Sequence, residues 1–148
     1  MSKRLGIVAL VLLVMASCAV VSAQEQGNVV NGNGYQVQPA HDGGMTPISI
    51  QTIYSTITQG AMNRHAKDVS SYITTLNVDL NWGKPTNSLQ LKVYSPDGYT
   101  FGPYYDNADG SINGRINLDI TNNNGIAQGT WYYEVYGYSV SGTQAYTI

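Results

Sequence analysis

Cysteine, histidine and charge are scarce in this chain. Among 148 residues there is one cysteine, Cys18, there are two histidines, and 11% of the residues are charged. With a single cysteine, no disulfide can form within the chain. The histidines, His41 and His65, have no close partner at the spacing of a zinc site. The composition excludes a disulfide-stapled fold and gives no support to a zinc centre.

Motifs of catalysis are also missing. His65 and Asp68, followed by Ser70 and Ser71, are the residues that come nearest to a hydrolytic set. A serine nucleophile needs a strained turn such as Gly-x-Ser-x-Gly and a base oriented by a third group, and the sequence has no such turn. We therefore expect no enzymatic activity.

Basic residues are few and scattered. From Gln24 onward, five Lys and Arg stand against nine Asp and Glu, a net charge of 5 − 9 = −4. Binding to nucleic acid depends on neutralising phosphates, and binding to an anionic membrane surface depends on a polybasic patch. We therefore expect no nucleic-acid partner and no electrostatic attachment to a membrane.

The segment 1–23 has the pattern of a signal peptide. A lysine and an arginine precede an apolar run over positions 5–16, and Val21-Ser22-Ala23 places small residues at a cleavage site. The run is too short for a membrane span. We expect a mature chain that begins at Gln24 and a secreted or cell-surface protein.

Cys18 offers an alternative to cleavage after Ala23. In Val14-Met15-Ala16-Ser17-Cys18, small residues precede the cysteine as in a bacterial lipobox, although Met15 stands where leucine is usual. If Cys18 is lipidated, the protein is held at a membrane. If it is not, Cys18 is a passive residue of a discarded leader.

The rest of the chain divides into a spacer and one all-β domain. The segment 24–47 is rich in Gln, Asn and Gly, which predicts a flexible spacer, although a short piece of it can dock as an extra strand. From residue 48 to residue 148, short runs alternate apolar and polar residues with a period of two. The predicted strands are 48–57, 63–69, 76–82, 89–93, 116–120, 131–138 and 144–148. About seven or eight strands with one apolar face each favour an antiparallel two-sheet β-sandwich, and a small barrel is the alternative.

Three segments together resemble a known family. They are Leu-x-Val-x-Leu-x-Trp at 76–82, Leu-x-Leu-x-Val-Tyr-x-Pro-x-Gly at 89–98 and Gly-Thr-Trp-Tyr-x-x-Val-Tyr-Gly-Tyr-Ser at 129–139. In this order and spacing they resemble the pre-peptidase C-terminal domain, and they are similar to the collagen-binding domains of clostridial collagenases. The resemblance implies a jelly-roll-like sandwich that is non-catalytic and attaches to substrates or surfaces. Because no peptidase domain precedes these segments, we expect a stand-alone module with no role in maturing a protease in cis.

An acidic loop is a candidate calcium site. In Asp106-Asn107-Ala108-Asp109-Gly110, carboxylate and amide oxygens surround a glycine turn. An EF-hand is excluded because its first and twelfth ligand positions would fall on Tyr105 and Ile116. Asp106 and Asp109, with Asp97, remain as ligands of another kind of calcium site. The alternative is a polar loop whose side chains bond its own backbone.

Tyrosine is the one abundant aromatic residue, with 12 copies against a single Phe. In the 131–138 strand, Trp131, Tyr133 and Val135 share one face, and Glu134 marks the opposite face as the wet one. That wet face carries Tyr132, Tyr136 and Tyr138, and Tyr104 and Tyr105 are placed to extend it. Such a surface suits the recognition of sugars or proteins, whereas the alternative is that cross-strand tyrosines only stabilise the sheet.

These features predict a binding module whose partner is an extracellular protein or polysaccharide. An alternative is a structural subunit of an envelope layer or filament, which self-associates when the 24–47 segment pairs with a neighbour's edge strand. A third role, as an inhibitor or chaperone of a secreted peptidase in trans, has only the family resemblance behind it.

Overall fold

A computed structural model describes residues 33–40 and 52–148, and this part of the chain is built almost entirely of strands. The strands are β1 (Gln36–Pro39), β2 (Tyr54–Thr58), β3 (Met62–Val69), β4 (Thr75–Asn81), β5 (Ser88–Tyr94), β6 (Thr100–Tyr104), β7 (Arg115–Thr121), β8 (Gly129–Ser139) and β9 (Thr143–Thr147). A single 3₁₀ turn, Asp106–Asp109, interrupts them within the described ranges. The predicted antiparallel β-sandwich is confirmed, with nine strands where seven or eight were expected.

The strands form a jelly roll. One sheet has the order β1-β7-β4-β9-β2 and the other the order β3-β8-β5-β6. From β2 onward the strands pair antiparallel as nested couples, β2 with β9, β3 with β8, β4 with β7 and β5 with β6. One long hairpin rolled into two sheets gives this connectivity. Strand β1 lies outside the nesting and adds to the free edge of β7.

The core lies between the two sheets and follows the predicted alternation. In β4, β5 and β7 every second side chain is buried, and the residues between them are half-buried or exposed. The buried members are Leu76, Val78, Leu80, Leu89, Leu91, Val93, Ile116, Leu118 and Ile120. Each strand therefore covers the core with one face only, as its period-two pattern predicts.

Strand β1 comes from the segment predicted as a spacer. Its residues Gln36–Pro39 pair with Leu118–Thr121 of β7. The preceding residue, Tyr35, is fully buried against Phe101 and Trp131. Residues 33–40 thus belong to the folded unit, and they form a docked extra strand of the kind predicted as possible for the spacer.

Strand β6 has no counterpart among the predicted strands. It contains Gly102 and Pro103, joined by a cis peptide bond, and its register with β5 shifts between Leu91 and Val93. Glycine and proline interrupt the alternation by which strands are recognised in a sequence. β6 is an edge strand of the four-stranded sheet.

Several sequence predictions lie outside the described residues. These are the signal peptide (1–23), Cys18, and the parts of the spacer and of the first predicted strand that fall within 24–32 and 41–51. Within residues 33–40 and 52–148, no helix has the length and apolar character needed to cross a membrane.

Candidate functional site: a tyrosine face and its groove

Strand β8 lies in the middle of the four-stranded sheet, between β3 and β5. Trp131, Tyr133 and Val135 are fully buried, which confirms the inward face predicted for this strand. The outward face carries Tyr132, Tyr136 and Tyr138, and we call it the tyrosine face. Tyr132 is 39% exposed, Tyr138 is 53% exposed, and Tyr136 is half-buried. The strand therefore presents tyrosines to solvent along its length, and its two ends differ in what surrounds them.

At the Tyr132 end the aromatic rings are covered by charged side chains. The guanidinium of Arg64 lies 4.2 Å from the centre of the Tyr132 ring and 5.4 Å from that of Tyr94. The Tyr94 hydroxyl donates to Glu134 at 3.3 Å, and Lys92 lies 3.8 Å from the same carboxylate. Cation–π contacts at exposed sites contribute about 0.5–1 kcal/mol. The tyrosines at this end therefore fit the alternative interpretation, in which cross-strand tyrosines stabilise the sheet.

At the Tyr138 end the sheet borders an open groove. The rings of Tyr105 and Tyr138 meet edge to face, with centres 5.0 Å apart and planes at 70°. The groove has a volume of about 490 Å³. Its walls are formed by Pro85, Ser88, Tyr105, Asp106, Asn107, Ile112 and Tyr138. Ile112 is 72% exposed and gives the groove an apolar side chain open to solvent.

Hydrogen bonds hold the groove in shape. Gln90 donates to the Tyr105 hydroxyl at 2.6 Å, which fixes that ring above the sheet. The buried Asp106 carboxylate accepts the backbone N–H groups of Asn113, Gly114 and Arg115 at 2.9–3.2 Å. These bonds tie the 3₁₀ turn to the start of β7, so the loop that carries Ile112 is anchored at both ends.

Gly114 is required at the base of this loop. Its φ is +81°, and a Cβ added there would lie 2.5 Å from the backbone nitrogen of Lys84. Two backbone segments approach too closely at this point for any side chain. The groove is therefore built on a close backbone contact rather than on a freely variable loop.

The three predicted calcium ligands do not come together. Asp106 accepts the amides just described, and Asp109 accepts the N–H groups of Ser111 and Asn117 at 3.1 and 3.0 Å. Asp97 instead accepts the Tyr35 hydroxyl at 3.0 Å, beyond the opposite end of β5. In the described ranges, no group of three or more His, Cys, Asp or Glu side chains is placed to hold a metal ion. The geometry is that of the alternative interpretation, a polar loop that bonds its own backbone, and a calcium titration tests whether the predicted site exists.

The remaining predicted residues fall outside the groove. Tyr104 is half-buried on β6, where burial raises its pKa, and it packs against the core. Tyr136 lies between Met62 and Gln90 in the sheet register. Of the five predicted tyrosines, Tyr105 and Tyr138 are therefore the two that the structure brings together at a concave surface.

The sequence did not predict part of the groove wall, nor the Arg64 side chain that lies over Tyr132. Ile112 is a lone apolar residue in a polar loop, and that isolation is the signal that was available. Arg64 lies in β3, whose weak alternation gave no indication of what it would cover. Pro85 and Asn107 reach the groove only because separate loops meet there.

His65 contacts a residue of the opposite sheet. Its Nε2 lies 2.7 Å from the Tyr146 hydroxyl, which also accepts a hydrogen bond from Asn63 at 2.9 Å. Burial and the nearby Lys67 lower the pKa of His65. Asp68 accepts a hydrogen bond from Thr130 at 2.7 Å. Among the described contacts, His65 therefore joins the two sheets through Tyr146.

The fold and the groove define a jelly-roll β-sandwich with an exposed aromatic surface at one end. No family model matches the chain. A 58-residue stretch is 41% identical to an uncharacterized protein of Archaeoglobus fulgidus, and it covers 39% of this chain and 81% of that protein. The chain belongs to the same family as this archaeal protein.

Proposed function

We propose that this protein is a non-catalytic binding module, secreted or held at the cell surface, that engages an extracellular protein or polysaccharide. The observation that carries the proposal is the meeting of Tyr105 and Tyr138 at a preformed groove. Tyrosine gives a large, rigid contact area with a polar tip, and it is enriched where binding energy is concentrated.

The chemistry of the groove favours a neutral ligand. Its walls are mainly apolar, with Ser88 and Asn107 as uncharged polar groups. The one acidic residue in these walls, Asp106, is buried, and its carboxylate already accepts three backbone N–H groups. A sugar ring or an uncharged peptide segment has the matching mixture of apolar faces and hydrogen-bonding groups.

The location outside the cell is supported by the sequence of the 1–23 segment and by the resemblance to pre-peptidase C-terminal domains. The mature N-terminus tests it directly. Mass spectrometry that finds Gln24 at the N-terminus supports a released protein, and an acylated Cys18 supports one held at a membrane. An uncleaved leader on the exported protein contradicts both.

Binding to glycan arrays, isolated envelope polymers and collagen tests the function. We expect Tyr138→Ala to weaken binding about tenfold or more, as truncation of a central aromatic contact does. Tyr54→Ala is the matched control, because Tyr54 is 81% exposed on β2, in the other sheet. Equal loss in both variants, or binding that ignores Tyr138, contradicts the assignment of the groove.

Tyr132→Ala separates the groove from the rest of the tyrosine face. Because Arg64 covers the Tyr132 ring, we expect this variant to change binding by less than about threefold. A loss as large as that of Tyr138→Ala would move the binding site to the middle of the sheet.

A further inference from the structure

Strand β1 is an addition to a fold that is already closed. The eight strands β2 to β9 make all four nested pairs of the jelly roll among themselves. β1 pairs only with β7, over four residues. Without it, the edge of β7, with Ile116, Leu118 and Ile120 on its inner face, would be left unpaired. An unpaired apolar edge recruits another strand.

The docking of β1 is specified by a side chain as well as by the backbone. The buried Tyr35 ring has its centre 5.5 Å from that of Tyr99, 5.4 Å from that of Phe101 and 6.1 Å from that of Trp131. This arrangement is an aromatic pocket of core residues filled by one inserted ring. Strand pairing supplies affinity and a side-chain pocket supplies specificity, as in peptide recognition by strand addition.

The Tyr35 hydroxyl completes the docking. It donates to Asp97 at 3.0 Å and accepts the backbone N–H of Ala127 at 3.2 Å. At the other end of the strand, Ala40 donates its N–H to Asn117, and Pro39 contributes no N–H donor to the outer edge. The edge of β7 thus accepts one strand with a defined register, and Pro39 limits pairing of a further strand beyond it.

The connection that follows β1 places no limit on which chain donates it. β1 and β2 lie at opposite edges of the five-stranded sheet, which are about 19 Å apart at four strand spacings. The chain from Ala40 to Thr52 reaches about 40 Å when extended. That length is enough to cross its own sheet, and it is also enough to reach an adjacent molecule. Exchange of an identical element between copies is a low-cost route to association.

We infer that the edge of β7 and the Tyr35 pocket form an acceptor site that takes residues 33–40 from a second copy of this chain as well as from its own. Reciprocal exchange closes a dimer, and one-way exchange builds a linear assembly. The inference is independent of the groove at Tyr105 and Tyr138. It supplies a structural basis for the alternative function, a self-associating subunit of an envelope layer or filament.

Single-cysteine variants of the whole chain test this exchange. Gln36 and Thr121 are directly opposite each other in the register. With Cys18 replaced by serine, a Gln36→Cys chain and a Thr121→Cys chain carrying different tags are unfolded, mixed, refolded together over a range of concentrations and oxidised. We expect a disulfide-linked heterodimer whose yield rises with concentration, since its one disulfide requires the strand of one copy on the sheet of the other.

Two controls make the result decisive. The Gln36→Cys, Thr121→Cys double variant reports whether the pair is close enough to form a disulfide within one chain. A Gln36→Cys chain mixed with Thr143→Cys places the second thiol three strands away in the same sheet. We expect at least about tenfold less heterodimer from this mixture, because that separation, about 14 Å, exceeds the reach of a disulfide.

The outcomes are distinct. Heterodimer from the Thr121 mixture alone supports exchange, and we expect Tyr138→Ala to leave its yield unchanged while Tyr35→Ala lowers it about tenfold or more. If the double variant closes within one chain but the Thr121 mixture gives no heterodimer, the strand stays with its own chain and the inference is wrong. Equal yields from the Thr121 and Thr143 mixtures indicate random collision and also overturn it.

Discussion

Two buried tyrosines whose hydroxyls differ in their hydrogen bonding should respond in opposite directions to the same substitution. Tyr35 and Tyr133 are both fully buried in the core. The Tyr35 hydroxyl has two hydrogen-bond partners, Asp97 and the amide of Ala127, whereas the Tyr133 hydroxyl is buried with no partner among the described residues. Burial also raises the pKa of Tyr133, so its hydroxyl stays protonated at ordinary pH. Replacing each by phenylalanine keeps the ring and removes the oxygen.

The expected magnitudes follow from these contacts. Tyr35→Phe loses two hydrogen bonds of about 0.5–1.5 kcal/mol each, so the free energy of unfolding should fall by about 1–3 kcal/mol. Tyr133→Phe removes a hydroxyl whose burial without a partner costs about 1–3 kcal/mol, so the free energy of unfolding should rise. The contact between Lys67 and the Tyr133 ring, at 5.2 Å, is kept by phenylalanine. We expect the two variants to differ by at least about 2 kcal/mol.

Urea unfolding followed by tryptophan fluorescence measures the difference. The slope of free energy against urea should be the same in both variants, since neither changes the surface exposed on unfolding. In thermal unfolding, the gap corresponds to roughly 4 °C for each kcal/mol in a domain of about 100 residues. If Tyr133→Phe lowers stability by as much as Tyr35→Phe, the Tyr133 hydroxyl has a partner and the reasoning is refuted.

Three further predictions concern the loop and the two-sheet contact. Asp106→Ala should lower the free energy of unfolding in urea by about 3 kcal/mol, because one buried and two part-buried backbone N–H groups lose a charged acceptor. A loss below about 1 kcal/mol would contradict this. The pKa of His65 is lower in the folded protein than its value of about 6.5 in the unfolded chain. The contribution of neutral His65 to the free energy of unfolding should therefore be complete above about pH 6.5, and it should be lost as the pH falls through the folded-state pKa. His65→Gln should flatten that part of the stability profile, and an unchanged slope between pH 6.5 and 5 would count against it. Calcium at millimolar concentration should leave the unfolding temperature unchanged, since the Asp106 and Asp109 carboxylates are occupied by backbone amides, whereas a rise of several degrees would reveal a site.

The strands that the sequence predicts best are those with strict alternation over a one-sided core. β4, β5, β7 and β8 each carry at least three apolar residues at every second position, and their burial follows that pattern. β1 has Val37 as its one buried member, and its docking depends on Tyr35, whose pocket is formed by residues distant in sequence. Local periodicity carries no information about such a pocket.

The candidate site was predicted only in part, because local periodicity also carries no information about contacts between distant segments. Alternation identifies which tyrosines of β8 face outward, so Tyr132 and Tyr138 were placed correctly on the outer face. It gives no distance between Tyr138 and Tyr105, which belong to segments far apart in the sequence and meet through the path of the 3₁₀ turn. It also gives no indication that Arg64 covers Tyr132. Contacts between strands decide which of several exposed tyrosines forms a groove.

The nested pairing of β2 to β9 has a consequence for how the chain folds. The innermost pair, β5 with β6, joins neighbouring strands, whereas the outermost pair joins residues as distant as Tyr54 and Thr147. Closing the larger loops costs more entropy, and a high contact order slows folding. We expect the inner hairpin to form early and the couples around it to close in sequence. The native sheet order is then complete only after β9 has joined β2, so this sandwich cannot close until the segment that carries Thr147 is free to pair.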